Sequence, residues 1–195
     1  MARGIIRAFI AIPLPEDVLD RLERLQQKLE IDLPPGSIRW IDREGIHLTL
    51  KFLGDTERKK LPEITAALSA VAHHAPPCTL TVKNLGCFPD PRRPRVLWVG
   101  VEEPTGRLAA LQDAIEEVMT PFGYERERRR FHPHLTLGRV RRRVSHEDKE
   151  AIGQLIQATE LDTLAEFEAD HFALIRSVLK RTGAEYTDLE TFQLS

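Results

Sequence analysis

The chain has 195 residues, 42% apolar and 30% charged, with a formal net charge of −2. That is enough to bury one large core or two small lobes, and the balance excludes a disordered, highly charged chain and a whole-molecule polycation. No apolar run is long enough to cross a membrane, and Met1-Ala2-Arg3-Gly4 does not lead into an apolar leader, so a cytoplasmic protein is expected.

Ile5 to Ile12 (IIRAFIAI) reads as a buried strand. Pro15 then opens a helix whose Val18, Leu19, Leu22, Leu25 and Leu29 share one face, and Pro34-Pro35-Gly36 stops it. Ile38 to Ile41 and Ile46 to Leu53 read as short strands. A second helix starts near Leu61-Pro62, buries Leu61, Ile64, Leu68 and Val71, and ends at Pro76-Pro77. Leu80 to Leu85 and Val96 to Val101 read as strands. A helix with Leu108, Leu111, Ile115 and Val118 on one face follows, ended by Pro121 and Gly123. Phe131 to Val140 reads as a strand. Ser145 and Asp148 resemble a capping box for a helix over Glu147 to Gln157. Phe167 to Leu179 holds another strand, and Tyr186 to Leu194 a last one.

Strand, helix, strand, helix therefore recurs. The expected architecture is α+β, a bilobal duplicated scaffold forming a single domain over 1–195. Its pseudo-repeat halves run over about 1–77 and 78–195, with strand exchange between lobes left open. Each lobe would carry helices on the outer face of an antiparallel sheet, with the site in the cleft between lobes.

The tetrapeptide His47-Leu48-Thr49-Leu50 occurs again as His134-Leu135-Thr136-Leu137, and with seven His in the chain a chance repeat is rare. On a strand, alternate side chains face opposite ways. Leu48, Leu50, Leu135 and Leu137 would anchor the two strands in their cores. His47, Thr49, His134 and Thr136 would point the other way, toward the cleft. A repeated core needs only the Leu residues to recur, so recurrence of His and Thr points to chemistry. Two imidazoles suit general acid–base work near neutral pH, and two hydroxyls suit the non-bridging oxygens of a phosphate. No metal or other cofactor is required.

Arg139 lies at an odd offset from His134 and would face away on an unbroken strand, unless a twist or bulge at Gly138 returns it to the cleft rim as a phosphate clamp. Arg92, Arg93 and Arg95 form one basic group; Arg126, Arg128, Arg129 and Arg130 precede the second motif, and Arg139, Arg141, Arg142 and Arg143 follow it. These groups read equally as a phosphate-attracting patch or a solvated surface. His132 shares the motif's parity, so His132, His134 and His47 raise a metal site as an alternative, although no carboxylate or thiolate stands at motif spacing. Cys78 and Cys87 make neither a disulfide framework nor a zinc pair.

Paired H-x-T-x motifs on a duplicated α+β chain resemble the two-histidine (2H) phosphoesterases, in particular the RNA 2′,3′-cyclic phosphodiesterase (2′-5′ RNA ligase) family. The resemblance extends over RAFIAI (Arg7 to Ile12), RWIDREGIHLTLKFLG (Arg39 to Gly54), RVLWVG (Arg95 to Gly100), FHPHLTLGRV (Phe131 to Val140) and the tail from Leu174 with Ser177, Leu179, Gly183, Tyr186 and Leu189. It implies His47 as proton donor, His134 as proton acceptor, and Thr49, Thr136 and Arg139 as phosphate ligands. Phe9 and Trp98 lie in matched strands, where base stacking and core packing are both open. The implied reaction is metal-independent hydrolysis of a terminal 2′,3′-cyclic phosphate to a 2′-phosphate, with 2′-5′ ligation as its reverse. The implied partner is RNA with such an end, including tRNA fragments or small cyclic nucleotides, acted on by a monomer without a membrane. A non-catalytic RNA-binding module and a metal-dependent phosphohydrolase remain the alternatives.

Overall fold

The computed structural model describes residues 4–180 and 183–195; Met1 to Arg3 of the N-terminal stretch lie outside it. Among the described residues the elements are β1 (Ile5–Ile12), α1 (Glu16–Asp32), β2 (Ile38–Trp40), β3 (Leu48–Glu57), α2 (Leu61–Ala72), β4 (Cys78–Phe88), β5 (Val96–Glu102), α3 (Arg107–Met119), β6 (His134–Val140), α4 (His146–Ala158), β7 (Ala165–Ala169), β8 (His171–Leu179) and β9 (Ala184–Gln193). The class is α+β, as expected, and no described helix is long and apolar enough to cross a membrane.

Two antiparallel sheets organise these elements, one in the order β3-β1-β8-β9 and the other β2-β6-β5-β4-β7. Neither sheet comes from one continuous stretch of chain. β2 leaves the N-terminal strands to pair with β6, and β8 and β9 return to extend β1. The helices cross over likewise: α1 and α4 approach β7 and β4, whereas α2 and α3 approach β9 and β3.

Local chemistry accounts for the boundaries. The Pro15 carbonyl accepts from the N–H groups of Val18 and Leu19 at 3.1 Å, and α1 ends at Asp32, with Leu33 extended because Pro34 follows. α1 buries Val18, Leu19, Leu22, Leu25 and Leu29, the face expected from spacing, together with Gln26. α4 starts one residue earlier than expected, and its Ser145 Oγ accepts from the Asp148 N–H at 3.0 Å while donating to Asp148 Oδ2 at 2.8 Å.

Several boundaries differ from the sequence reading: β3 runs over Leu48–Glu57 rather than Ile46 to Leu53, so His47 precedes it, and β9 runs over Ala184–Gln193 rather than Tyr186 to Leu194. The run from Phe167 to Leu179 is two strands separated at Asp170, β7 joining one sheet and β8 the other. Phe131, His132 and Pro133 precede β6 rather than belonging to it. β4 extends to both sides of Leu80–Leu85, and Asn84 takes φ 61° at an irregularity in its pairing with β5. One large apolar core includes all four motif leucines, Leu48, Leu50, Leu135 and Leu137, each at most 3% exposed. Cys78 and Cys87 are buried free thiols.

Candidate active site

β3 and β6, the strands that carry the repeated motifs, belong to different sheets, yet their Cα atoms come within 8 Å of one another. Register identifies the face each side chain occupies. Ala11 of β1 pairs with Thr49 and with Ala173, while Phe9 pairs with Phe52 and Ile175. Phe9, Ala11, Ala173 and Ile175 form a small apolar cluster of their own, separate from the main core, with Tyr186 packed against it. Thr49 lies on that face because paired residues point the same way.

His47 stands at the mouth of β3. The Phe9 ring stacks on it at 4.6 Å with 25° between planes, and Tyr186 meets it edge-on at 5.4 Å. This burial lowers the His47 pKa from 6.5 to about 4. The preceding turn, Arg43–Gly45, is tied to α1 by Arg43, which pairs with Glu16 and with Asp20 at 2.5 Å. Tyr186 comes from β9 and fits over Gly45, where a Cβ would lie 3.3 Å from its ring.

On the second sheet, His134 pairs with Gly100, Thr136 with Trp98 and Arg139 with Val96. Those three β5 residues alternate along one face, so His134, Thr136 and Arg139 share it. The offset is corrected by a bulge: Leu137 has no partner between the Thr136 and Gly138 pairs. The extra residue is thus Leu137, one before Gly138. Its carbonyl accepts from Ile41 N at 2.9 Å and from Gln26 Nε2 at 2.8 Å; the same amide donates to the Ile41 carbonyl at 2.9 Å. Gln26 is 8% exposed and reaches the bulge from α1. Arg39 pairs with Arg139 across β2 and β6, which puts a second exposed guanidinium group on this face.

The His134 ring contacts Phe88 edge-on at 4.9 Å, and its Nδ1 donates to the His132 carbonyl at 2.7 Å. That bond leaves Nε2 as the unprotonated nitrogen of the neutral ring. The His134 pKa is lowered, chiefly by burial; the His132 carbonyl opposes the shift, while the charges of His132 and Arg139 add to it. Trp98 lies across Gly86, whose Cβ would come within 2.3 Å of the indole. Among the described residues its N–H has no acceptor.

His47 and His134 are thus each set beside a motif Thr and between aromatic rings. Phe9 is 3% exposed with a face against His47, so it packs; the open aromatic on that face is Phe52, 71% exposed and 6.1 Å from Phe9. His132 and His134 have ring centroids 6.2 Å apart, and among the described residues no group of three His, Cys, Asp or Glu could hold a metal ion. Sequence reasoning did not single out Gln26, Arg39, Phe52 or Phe88, and it met Tyr186 only in the family-like tail. The even spacing of Arg39 from Ile41 and the exposed parity of Phe52 carry too little signal without the register.

The model of the 2′-5′ RNA ligase superfamily matches residues 13–181. A Methanothermobacter thermautotrophicus protein called RNA 2′,3′-cyclic phosphodiesterase is 31% identical over 97% of this chain and 99% of its own length. One of the same name from Thermotoga maritima is 33% identical over 93% of this chain and 91% of its own. Among solved structures, E. coli LigT complexed with 3′-AMP superposes with a TM-score of 0.79 at 25% identity, covering 98% and 99% of the two chains. TT0787 of Thermus thermophilus gives 0.78 at 26%, covering 97% and 98%. By motif, by fold and by match over most of its length, this chain belongs to the 2′-5′ RNA ligase superfamily of two-histidine phosphoesterases.

Proposed function

We propose that the chain hydrolyses a terminal 2′,3′-cyclic phosphate of RNA to a 2′-phosphate, using His134 as general base and His47 as general acid. The observation that carries the reading is the pairing of two His/Thr motifs on strands of different sheets that approach one another, in a chain whose relatives bear that activity as their name. The Nδ1–H bond of His134 to the His132 carbonyl supports the base role, since it leaves Nε2 free to take a proton from water. Water then attacks phosphorus, the 3′ oxygen leaves, and His47 gives that oxygen a proton. Thr49 and Thr136 donate to the non-bridging oxygens, and Arg139 adds a charged donor there.

Unliganded His47, with a pKa of about 4, is neutral at pH 7. The bound phosphate anion supplies the opposite charge that lifts its pKa and keeps it protonated for the acid step. With a 5′-hydroxyl in place of water as the nucleophile, the same ring opening joins the cyclic end in a 2′-5′ linkage, the 3′ oxygen again leaving with a proton from His47. Phe52 is the ring open to a base on this side of the cleft.

The test is product analysis on a short RNA with a 2′,3′-cyclic phosphate end, in excess chelator. A 2′-phosphate product, lost by a factor of roughly 10²–10⁴ in either His47→Ala or His134→Ala, is expected. A 3′-phosphate product, full activity in the double variant, or loss with chelator would each overturn the reading.

A further inference from the structure

β6 continues past the catalytic face into a second basic site that the reaction above does not use. An open basin of about 620 Å³ is lined by Arg92, Arg93 and Arg95 from the loop between β4 and β5, and by Arg141, Arg142 and Lys149 from the chain around the start of α4. The five arginines are exposed. Among the described residues none of the six cations makes an ion pair.

Three of the carboxylates nearby are engaged elsewhere. Asp90 Oδ1 accepts from the backbone N–H groups of Arg92 at 2.9 Å and Arg93 at 3.2 Å. Asp148 is held by Ser145, and Glu150 faces His146 at 3.3 Å. The two walls are also fixed to each other. At Gly153 of α4 a Cβ would lie 1.9 Å from the Pro91 carbonyl oxygen, so the loop rests on the helix with no room for a methyl group. The loop and the helix that border the basin are therefore held closely against each other.

The basin adjoins the catalytic face. The Arg95 carbonyl accepts from Val140 N at 3.0 Å, next to Arg139, and Arg141 continues extended from β6, its N–H on the Ser37 carbonyl at 2.8 Å. At a strand's rise of ~3.3 Å per residue, Arg141 begins about 7 Å beyond Arg139. Guanidinium forks without protein partners suit phosphate oxygens, which accept two parallel N–H bonds.

We propose that this basin binds backbone phosphates of the RNA strand on the 5′ side of its cyclic end, so that the enzyme favours an oligonucleotide over a cyclic mononucleotide. The assignment rests on the RNA reading above, and its test separates the two.

The experiment compares wild type with the Arg93→Ala/Arg142→Ala double variant on uridine 2′,3′-cyclic monophosphate and on a six-nucleotide RNA with the same end. The expected result is at least a tenfold fall in kcat/KM on the hexanucleotide, with the mononucleotide unchanged within twofold. The slope of log kcat/KM against log salt should fall by about 1.4, at ~0.7 for each single-strand phosphate no longer neutralised. An equal fall on both substrates, or none on the hexanucleotide, overturns the proposal. A second measurement is independent of catalysis: fluorescence anisotropy of the hexanucleotide ending in a plain 3′-phosphate. Weaker binding by the double variant, at an unchanged melting temperature, supports the basin even if neither protein hydrolyses cyclic ends. Equal binding by both proteins, or equal competition by a hexaglutamate peptide, overturns it.

Discussion

Burial beneath Phe9 and Tyr186 keeps unliganded His47 neutral, and the coupling is measurable as stability. Burial holds the imidazole at a pKa of about 4 against 6.5 in an unfolded chain, and the Phe9 ring is the nearest source of that burial. Above pH 6.5 the ring is neutral in both states, and its contribution to stability is complete. As pH falls below 6.5 the unfolded chain takes up a proton that the folded chain refuses, and stability drops by about 1.4 kcal/mol per pH unit. The loss reaches about 3 kcal/mol by pH 4. Urea unfolding between pH 7 and pH 4 should therefore show wild type losing roughly this much relative to His47→Asn, a comparison in which the other titrating groups cancel. Phe9→Ala should cost about 3–5 kcal/mol at pH 7, as for other buried aromatics, and should flatten the His47 contribution because water reaches the ring. Parallel pH curves for wild type and His47→Asn would refute the reasoning. So would a Phe9→Ala variant that keeps the full slope.

Gly86→Ala should drive its methyl group into Trp98, costing about 1–3 kcal/mol in melting experiments and shifting tryptophan fluorescence. Activity on a cyclic-phosphate RNA should fall with it, because the indole neighbours His132 and His134; an unchanged melt with full activity would count against that packing. Lys51→Met should cost about 3–5 kcal/mol by urea titration, since it leaves Glu116 buried without the ammonium 2.5 Å away. Adding Glu116→Gln should recover at least half of that loss, because an amide oxygen still accepts from Glu127 N; no recovery would mean that lost packing, not the stranded charge, is the cause.

The alternation in HLTL was enough to assign the motif leucines to the core, and Pro and Ser placements were enough to bound α1 and α4. What stayed hidden depends on pairing between distant segments. Arg139 has the wrong parity in the sequence, and only the bulge at Leu137, held by Gln26 from 111 positions away, returns it to the face of His134. Phe9 reads equally as a base platform or as core until β1 and β3 are in register and its ring is seen on His47. The run through Asp170 reads as one strand because Ala169 and Phe172 are both buried, 2% and 0% exposed, although they belong to different sheets. Local hydropathy records burial, not the sheet in which a residue is buried.

The exchange of strands between sheets has a consequence for synthesis. β1 is made well before one of its two neighbours, β8, which ends at Leu179. Until then β1 has only β3 beside it, and its other edge offers unpaired amides and the apolar face of Phe9 and Ala11 to any passing strand. The second sheet likewise holds no place for β2 until β6 exists. A ribosome-bound fragment therefore cannot fold its first lobe and wait for the second. The pairings that close the molecule span most of the chain, which makes folding a late and slow event and exposes the nascent protein to aggregation throughout translation.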